Sequence, residues 1–296
     1  MSFLSQLLPG SIKEKLSKII QHKIVEPTLR FRFGGLYDNQ TSIIKYMPFK
    51  RDQDYVIPDF KKQSGGKIAP PFAYWLGYGK TEQEYLESGV EDVKKMDANL
   101  AAVGYIERTT QKVLDLGCGC ARMLRNVNQH FKESELWGLD IDAKLIYWCK
   151  ENIGETANYA TTTLIPHLPF ESNYFNLIYC GSVFTHIDDL ADAWLLEVRR
   201  VLKKGGVFYV TIHDENTVKM LDGEYKNANL AEHLFQNKTY MNNKGNFGMM
   251  VIDRDNLSQV FFSKAYFKQW VEPFFELVQI IDGAYGYQSV AVLRKK

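Results

Sequence analysis

The chain has 296 residues, of which 45% are hydrophobic, and its 36 Lys and Arg nearly balance its 35 Asp and Glu. That length allows a sizeable buried core, formed either by one large domain or by one domain with an accessory part. The formal net charge of +1 argues against nucleic acid or a strongly acidic molecule as a partner.

The first 98 residues are predicted to form a helical and irregular cap region. Between residues 1 and 25, leucine and isoleucine recur at helical spacing opposite four lysines, which predicts an amphipathic helix. Such a helix is typical of contact with an anionic membrane surface. It is also typical of docking on the rest of the chain or on a second subunit, which we favour. Residues 26–69 carry three prolines and are predicted to be irregular.

The most informative stretch is a strand-like run that ends in glycines, Lys112–Arg122. Its apolar residues predict a short buried strand, and a helical pattern follows it. Gly117 and Gly119 allow the backbone to turn sharply and to pass close to a ligand, which a Cβ would obstruct. A strand, a glycine turn and a helix are typical of the site for an adenosine-containing cofactor in an open α/β sheet.

Two carboxylates accompany this turn. Asp115 lies inside it, where a negative charge disfavours a pyrophosphate and suits a ligand with an ammonium and a sulfonium. Asp140 ends a second predicted strand, Leu136–Asp140, about twenty residues later, where it can accept hydrogen bonds from both ribose hydroxyls. Either Asp alone is compatible with a helix cap. Their joint position at the ends of two strands favours a ligand.

The following segments alternate between strand and helix. Phe175–Cys180 is predicted to be a buried strand, and the next helix stops at Gly205–Gly206, before the strand Val207–Ile212. This alternation predicts a parallel sheet with right-handed crossovers. Residues 214–273 then form an insertion, rich first in glycine and asparagine and later in aromatic residues. Together with the N-terminal region it is our candidate for a lid over the acceptor, structural padding being the alternative.

Five motifs in order carry a family resemblance: Val113–Gly119, Gly138–Asp140, Leu168–Phe170, Phe175–Tyr179 and Glu197–Gly206. From about residue 99 to residue 296 the chain resembles a class I S-adenosylmethionine-dependent methyltransferase of the small-molecule type. The resemblance implies an α/β, Rossmann-like fold with a seven-stranded, mostly parallel sheet, an antiparallel C-terminal hairpin and helices on both faces. Phe274–Ile281 and Gln288–Leu293 fit that hairpin, with residues 282–286 as the loop between them.

The resemblance also implies a set of cofactor-binding residues for S-adenosylmethionine: Asp115, Gly117, Cys118, Gly119, Asp140, Ile141, Ile165 and Cys180. Two positions depart from the family pattern, since Ala121 replaces the third glycine and Asn176 replaces an Asp. The usual acidic residue that reads adenine is not identifiable, so backbone groups of Leu164 or Ile165 are expected there. Arg30, Arg32 and Tyr78 are candidates to bind the methionine carboxylate.

Two histidines follow predicted strands at the edge where ligands bind. His213 is the candidate general base for an acceptor that must lose a proton, with a direct substrate contact as the alternative. His186 is a weaker candidate, because a structural contact is the more common role for its Val-Phe-Thr-His motif in the family. Asp214 is a candidate to orient His213 or to bind an amine, and Tyr78 a candidate substrate contact. No histidine–cysteine spacing suggests a metal.

The predicted function is methyl transfer to oxygen or nitrogen of a small-molecule acceptor, such as a sugar-like compound or a secondary metabolite. The alternatives are a peptide or protein methyltransferase and a cofactor-binding protein without catalysis. A nicotinamide-dependent oxidoreductase is disfavoured by Asp115 and by the shorter glycine pattern. The four cysteines are expected to be reduced, and the sequence shows neither a signal peptide nor a long apolar run, so a cytoplasmic protein is expected.

Overall fold

The structure, a computed structural model, describes residues 69–254 and 258–296. The predicted amphipathic helix of residues 1–25 and the candidates Arg30 and Arg32 lie outside the described residues. The predicted boundary between a cap region and the domain of residues 99–296 stays a prediction.

In the described part of the chain, one sheet has seven strands: β1 Lys112–Leu116, β2 Glu135–Asp140, β3 Asn158–Thr161, β4 Phe175–Cys180, β5 Leu202–Ile212, β8 Phe275–Tyr285 and β9 Gln288–Lys295. A separate pair is formed by β6 Met249–Ile252 and β7 Gln259–Phe262. The strand order within the seven-stranded sheet is β3-β2-β1-β4-β5-β9-β8. Strands β1 to β5 are parallel, whereas β9 is antiparallel to both of its neighbours. The predicted seven-stranded sheet with an antiparallel hairpin is confirmed.

Helices cover both faces of this sheet. The described helices are α1 Glu82–Ala102, α2 Leu124–Val127, α3 Ala143–Ile153, α4 Ala191–Val201, α5 Glu215–Asp222, α6 Asn229–Gln236, α7 Lys238–Asn242 and α8 Lys264–Val271. Successive strand residues point to opposite faces, so the neighbours Val113 and Leu114 of β1 belong to different apolar clusters. One cluster includes residues of α1 and α3, and the other includes residues of α4 and α8.

The local sequence explains where several elements begin. Side chains at the N-caps of α1 and α3, Thr81 and Asp142, accept hydrogen bonds from backbone N–H groups of the first turn. Helix α4 ends at Val201, and Gly205–Gly206 lies inside β5 rather than at the end of the helix. This outcome differs from the prediction because the strand continues through the glycines.

The C-terminal hairpin also differs in detail from its prediction. Strand β8 continues to Tyr285, so the turn is shorter than the loop of residues 282–286 expected from the sequence. The pairing register shifts between Ile281, which faces Val290, and Tyr285, which faces Gln288. The residues between them form a bulge. Tyr285 thereby reaches the carboxyl edge of the sheet as part of a strand.

The insertion of residues 214–273 contains α5 to α8 and the β6–β7 pair, with its own apolar cluster. It packs against the segments that follow β4 and β5, because the N–H of Val260 donates to the carbonyl of Thr185 and that of Phe262 to the carbonyl of His213. Its role as a lid stays a prediction. Within the described ranges, no helix is long and apolar enough to cross a membrane, and no group of three His, Cys, Asp or Glu is arranged to hold a metal.

Candidate functional site

The glycine turn that follows β1 lies at the carboxyl edge of the sheet. The backbone N–H groups of Gly117 and Cys118 both donate to the carbonyl of Leu139 in β2, at 2.7 and 3.0 Å. Gly117 has a φ of +82° and Gly119 a φ of +54°, which glycine adopts without steric strain. A Cβ on Gly117 would lie 2.3 Å from Cγ2 of Val183. The turn is therefore packed against the segment that follows β4.

We expect Gly117→Ala to lower the free energy of unfolding by about 2 kcal/mol or more, because left-handed strain adds to a steric contact with Val183. The matched control is Gly104→Ala, since Gly104 has a φ of +79° but no heavy atom within 4 Å of an added Cβ. Urea denaturation of both variants measures the difference. Equal losses would show that the contact with Val183 contributes nothing.

Two buried carboxylates flank the turn. Asp140, at the end of β2, accepts hydrogen bonds of 2.8 Å from the backbone N–H of Gly119 and from that of Asp142. Asp115, within β1, accepts one of 3.0 Å from the hydroxyl of Tyr179. Burial raises the pKa of Asp115 to about 7 and that of Asp140 to about 6. A ligand that brings positive charge or hydrogen-bond donors favours the ionised form of both groups.

The chain that precedes α1 covers the glycine turn. Leu76 is 63% exposed, and its Cδ1 lies 3.3 Å from the position of a Cβ on Gly119. Its neighbour Trp75 is fixed by a 2.7 Å hydrogen bond from Nε1 to the carbonyl of Pro70 and by stacking on Tyr85. An exposed apolar side chain is thus held over the turn, where it adds an apolar wall to the site.

Five polar side chains meet beside the turn: Tyr78, Arg122, Ser182, Tyr285 and Gln288, called the Tyr78 cluster below. Arg122 donates to the Tyr285 hydroxyl at 2.5 Å, and that hydroxyl donates to the Tyr78 hydroxyl at 2.8 Å. The Tyr78 hydroxyl lies 3.3 Å from Oγ of Ser182, which accepts a 2.8 Å hydrogen bond from Nε2 of Gln288. Residues from four distant parts of the chain therefore form one connected network.

The Arg122 guanidinium anchors this network. It pairs with Asp92 of α1 at 2.8 Å and lies 3.8 Å from the centroid of the Tyr78 ring. Helix α1 approaches it closely because Gly89 lacks a side chain, since a Cβ there would lie 2.1 Å from the carbonyl oxygen of Arg122. The cation thus has its charge balanced within the fold and holds the two tyrosines in place.

These residues fit S-adenosylmethionine in charge and in shape. The carboxylates offer acceptors for an ammonium and for ribose hydroxyls, and the glycines leave room that a Cβ would fill. Residues 114–210 match a family model described as "Methyltransferase domain". This segment is a class I S-adenosylmethionine-dependent methyltransferase domain. The family's methyl donor, S-adenosylmethionine, is the cofactor that the resemblance implied.

Solved structures share the fold of the methyltransferase domain. A crystal structure of a protein from Pyrococcus horikoshii superposes with a TM-score of 0.53 at 18% identity, covering 76% of this chain and 97% of that chain. A S-adenosylmethionine-dependent methyltransferase from Clostridium acetobutylicum superposes with a TM-score of 0.50 at 13% identity, covering 69% and 91%. At these identities the likeness extends to the fold alone.

Curated relatives act on different acceptors. A ubiquinone/menaquinone biosynthesis C-methyltransferase from Neisseria meningitidis is 32% identical over 55% of this chain and 66% of its own length. A malonyl-[acyl-carrier protein] O-methyltransferase from Geobacter sulfurreducens is 25% identical over 40% of this chain and 44% of its own length. The chain thus spans less than two thirds of each of these relatives.

The other predicted cofactor contacts lie in the glycine turn, at the end of β4 and in the segments that follow β2 and β3. Sγ of Cys118 lies 3.5 Å from the carbonyl oxygen of Gly119, and Cys180 ends β4 with its thiol buried. Ile141 directly follows Asp140, and Ile165 is 55% exposed in the loop after β3. Contact of these side chains with the cofactor stays a prediction. All four cysteines of the chain are buried and unpaired.

His213 is 1% exposed and stacked between Phe261 and Tyr287, with ring centroids 4.9 and 5.9 Å away. Its Nδ1 has no hydrogen-bond partner. Burial lowers its pKa to about 3, so the imidazole is neutral and weakly basic at physiological pH. His186 is tied through Nδ1 to the carbonyl of Ser258 at 2.8 Å, and burial lowers its pKa as well. The geometry suits contact or positioning better than proton abstraction.

We expect His213→Phe to reduce the loss of stability on acidification. The native imidazole has a pKa of about 3 against an ordinary pKa of 6.5 in the unfolded chain, so its stability contribution is present above pH 6.5 and is lost as the pH falls. When the pH falls from about 7 to about 5, this group lowers the free energy of unfolding of the wild type by about 2 kcal/mol, a loss that the variant does not show. Denaturant unfolding at both pH values measures this, with His233→Phe, at an exposed position, as control. Parallel pH profiles of His213→Phe and wild type would contradict a buried neutral His213.

Asp214 is the N-cap of α5. Its Oδ1 accepts a 3.0 Å hydrogen bond from the N–H of Thr217, whose hydroxyl accepts from the N–H of Asp214 in return. Its Oδ2 lies 3.6 Å from Nζ of Lys264, and burial raises its pKa. The side chain is fully buried, and its Oδ1 already accepts the capping hydrogen bond of α5. The structure therefore favours a positioning role for Asp214.

Proposed function

We propose that this chain transfers a methyl group from S-adenosylmethionine to a small-molecule acceptor bound beside the Tyr78 cluster. The observation that carries the proposal is the pair of buried carboxylates on either side of the glycine turn. In this proposal Asp115 faces the ammonium group of the cofactor and Asp140 faces the ribose hydroxyls. The adenine then lies toward β3 and the sulfonium toward β4, where Ser182 begins the segment that contacts Gly117 through Val183.

When bound, the cofactor supplies a sulfonium methyl: an acceptor lone pair forms the new bond, the sulfur–carbon bond breaks with its electron pair left on sulfur, and an acceptor proton is released. The chain contributes alignment and exclusion of water rather than covalent chemistry. Leu76 covers the turn, and aromatic rings of Tyr78, Tyr285 and Tyr287 line the neighbouring edge.

We infer that the methylated atom is oxygen or nitrogen of a small molecule, as the sequence predicts. The small net charge of +1 and the aromatic surroundings of the site support an uncharged small acceptor over a nucleic acid. Carbon is the alternative, because the Neisseria relative at 32% identity is a C-methyltransferase. A carbon acceptor requires an electron-rich carbon to act as nucleophile, such as one in a hydroxyl-bearing ring, an enol or an alkene.

Calorimetric titration with S-adenosylmethionine, its demethylated product and NAD tests the proposed cofactor. We expect both sulfur ligands to bind and NAD not to bind. Release of the demethylated product in the presence of small-molecule extracts, followed by mass spectrometry of products 14 Da heavier, as one added methylene requires, then tests transfer. Binding of NAD alone would overturn the proposal. Binding of S-adenosylmethionine without any methyl transfer would favour the alternative of a cofactor-binding protein without catalysis.

A further inference from the structure

One side chain of the Tyr78 cluster keeps an unused polar group. Gln288 is 6% exposed and stands at the start of β9, at the carboxyl edge of β5. One end of its carboxamide donates to Oγ of Ser182, whereas the other end, Oε1, has no hydrogen-bond partner. A buried carboxamide with an unpartnered end costs stability. A ligand that completes its hydrogen bonds removes that cost.

The Gln288 carboxamide is held in place from several sides. Its partner Ser182 has a left-handed φ of +57°, and its backbone N–H donates to Oγ1 of Thr211 at 2.7 Å. Oγ of Ser182 also lies within hydrogen-bond distance of the Tyr78 hydroxyl, which is tied through Tyr285 to Arg122. A strained, multiply bonded residue that orients a second side chain is typical of a binding site whose geometry is set in advance.

The position of Gln288 places it on the acceptor side of the cofactor. Ser182 directly precedes Val183, whose Cγ2 packs on Gly117 of the glycine turn. On the opposite flank of the turn, Asp140 faces the ribose in the proposed function. The sulfonium end of the cofactor then lies nearest to Ser182 and Gln288. An unpartnered group at this end faces the acceptor rather than the adenosine.

We propose that Gln288 determines acceptor specificity by hydrogen bonding to a neutral hydroxyl group of the acceptor, an inference that rests on the proposed function. A hydroxyl both donates and accepts, so it matches either end of a carboxamide. A carboxylate would need a cation, and Arg122 already pairs with Asp92 and donates to Tyr285. An ammonium would need a carboxylate, and Asp214, the acidic residue next to His213, caps α5. This hydroxyl either is itself methylated on oxygen or makes a neighbouring ring carbon more nucleophilic, so that the carbon is methylated.

Three one-ring probes test this proposal: phenol, benzoate and benzylamine. Their binding is measured by ligand-observed NMR on protein saturated with the demethylated cofactor product. We expect phenol to bind more tightly than benzoate or benzylamine, and Gln288→Leu to weaken phenol about tenfold, as loss of one hydrogen bond implies. Gln288→Glu is expected to reverse the preference toward benzylamine. Gln279→Leu, on the exposed part of β8, is the matched control and leaves phenol binding unchanged.

Affinity for the demethylated product is measured in every variant, since it reports both folding and the proposed cofactor site. If the wild-type protein does not bind the demethylated product, the proposed function is refuted. If the demethylated product does bind, three results would refute the specificity proposal. Benzoate could bind best, phenol could fail to bind at millimolar concentration, or Gln288→Leu and wild type could bind phenol equally. Gln288→Leu is also expected to keep or raise the unfolding temperature, whereas a purely structural glutamine would lower it.

Discussion

Asp140→Ala is expected to weaken the affinity for S-adenosylmethionine by about 100-fold. The carboxylate stands at the end of β2. In the proposed function its loss removes the acceptor for two ribose hydroxyls, each worth about 1.5 kcal/mol as a hydrogen bond to a charged group. Thermal unfolding and calorimetric titration measure the effect. At a ligand concentration about 100 times the wild-type Kd, the wild type gains about 2.7 kcal/mol of stability, and the variant gains almost nothing.

Asp142→Ala is the matched control for that experiment. Asp142 lies two residues further on and caps α3, with Oδ1 accepting a 2.9 Å hydrogen bond from the N–H of Lys144. Its replacement should cost about 1 kcal/mol of stability through the lost cap and leave cofactor affinity unchanged. Wild-type affinity in Asp140→Ala would show that the carboxylate only holds the N–H groups of Gly119 and Asp142.

Asp115→Asn is expected to have opposite effects on stability and on binding. Burial raises the native pKa of Asp115 to about 7 against an ordinary pKa of 3.8 in the unfolded chain, so its stability contribution is full below pH 3.8 and is lost as the pH rises through 7. When the pH rises from about 5 to about 8, this group should lower the free energy of unfolding of the wild type by about 2 to 3 kcal/mol, a loss that the variant does not show. The variant should also lose cofactor affinity, because a neutral amide does not attract an ammonium group.

Urea denaturation across this pH range and titration with S-adenosylmethionine measure both effects. Asp97→Asn is the control, because the pKa of Asp97 is shifted in the opposite direction from that of Asp115. Hydrogen bonds from Arg108 and His130 lower the pKa of Asp97, so its contribution is present above its unfolded pKa and is lost in acid. If Asp115→Asn follows the wild-type stability profile between neutral and mildly acidic pH, then Asp115 is not a buried carboxylate with a raised pKa.

Strands β1, β2, β4 and β5 could be predicted from the sequence because each contains a local apolar run bounded by turn residues, whereas β3 has no such run. The full number of seven strands came from the family resemblance. The motif around Gly117 and the spacing to Asp140 set the cofactor side of the candidate site. Both features depend on residues near one another in the chain. The prediction of helices on both faces came from the family resemblance, and the two apolar clusters on opposite faces confirm it.

The acceptor side could not be predicted, because it is built from contacts across the whole domain. Tyr285 was assigned to a loop, since only pairing with Gln288 reveals that a bulge continues the strand. Arg122 carried no signal beyond its place after the glycine turn, and its partner Asp92 lies on another helix. Asp214 was a candidate ligand contact because a capping box gives the same residue pattern as a polar site.

The place of β9 within the sheet affects how the domain assembles. Ribosomal synthesis reaches β9 after the other six strands of this sheet, yet β9 lies between β5 and β8. Until residues 288–295 are made, β5 has an unpaired edge beside the apolar side chains Val207, Phe208 and Val210, an arrangement prone to intermolecular pairing. The hydrogen bond from Gln288 to Ser182 can also form only after residues 288–295 have been synthesised. The nascent domain thus depends on protection of one strand edge, and the acceptor side of the site forms after the cofactor side.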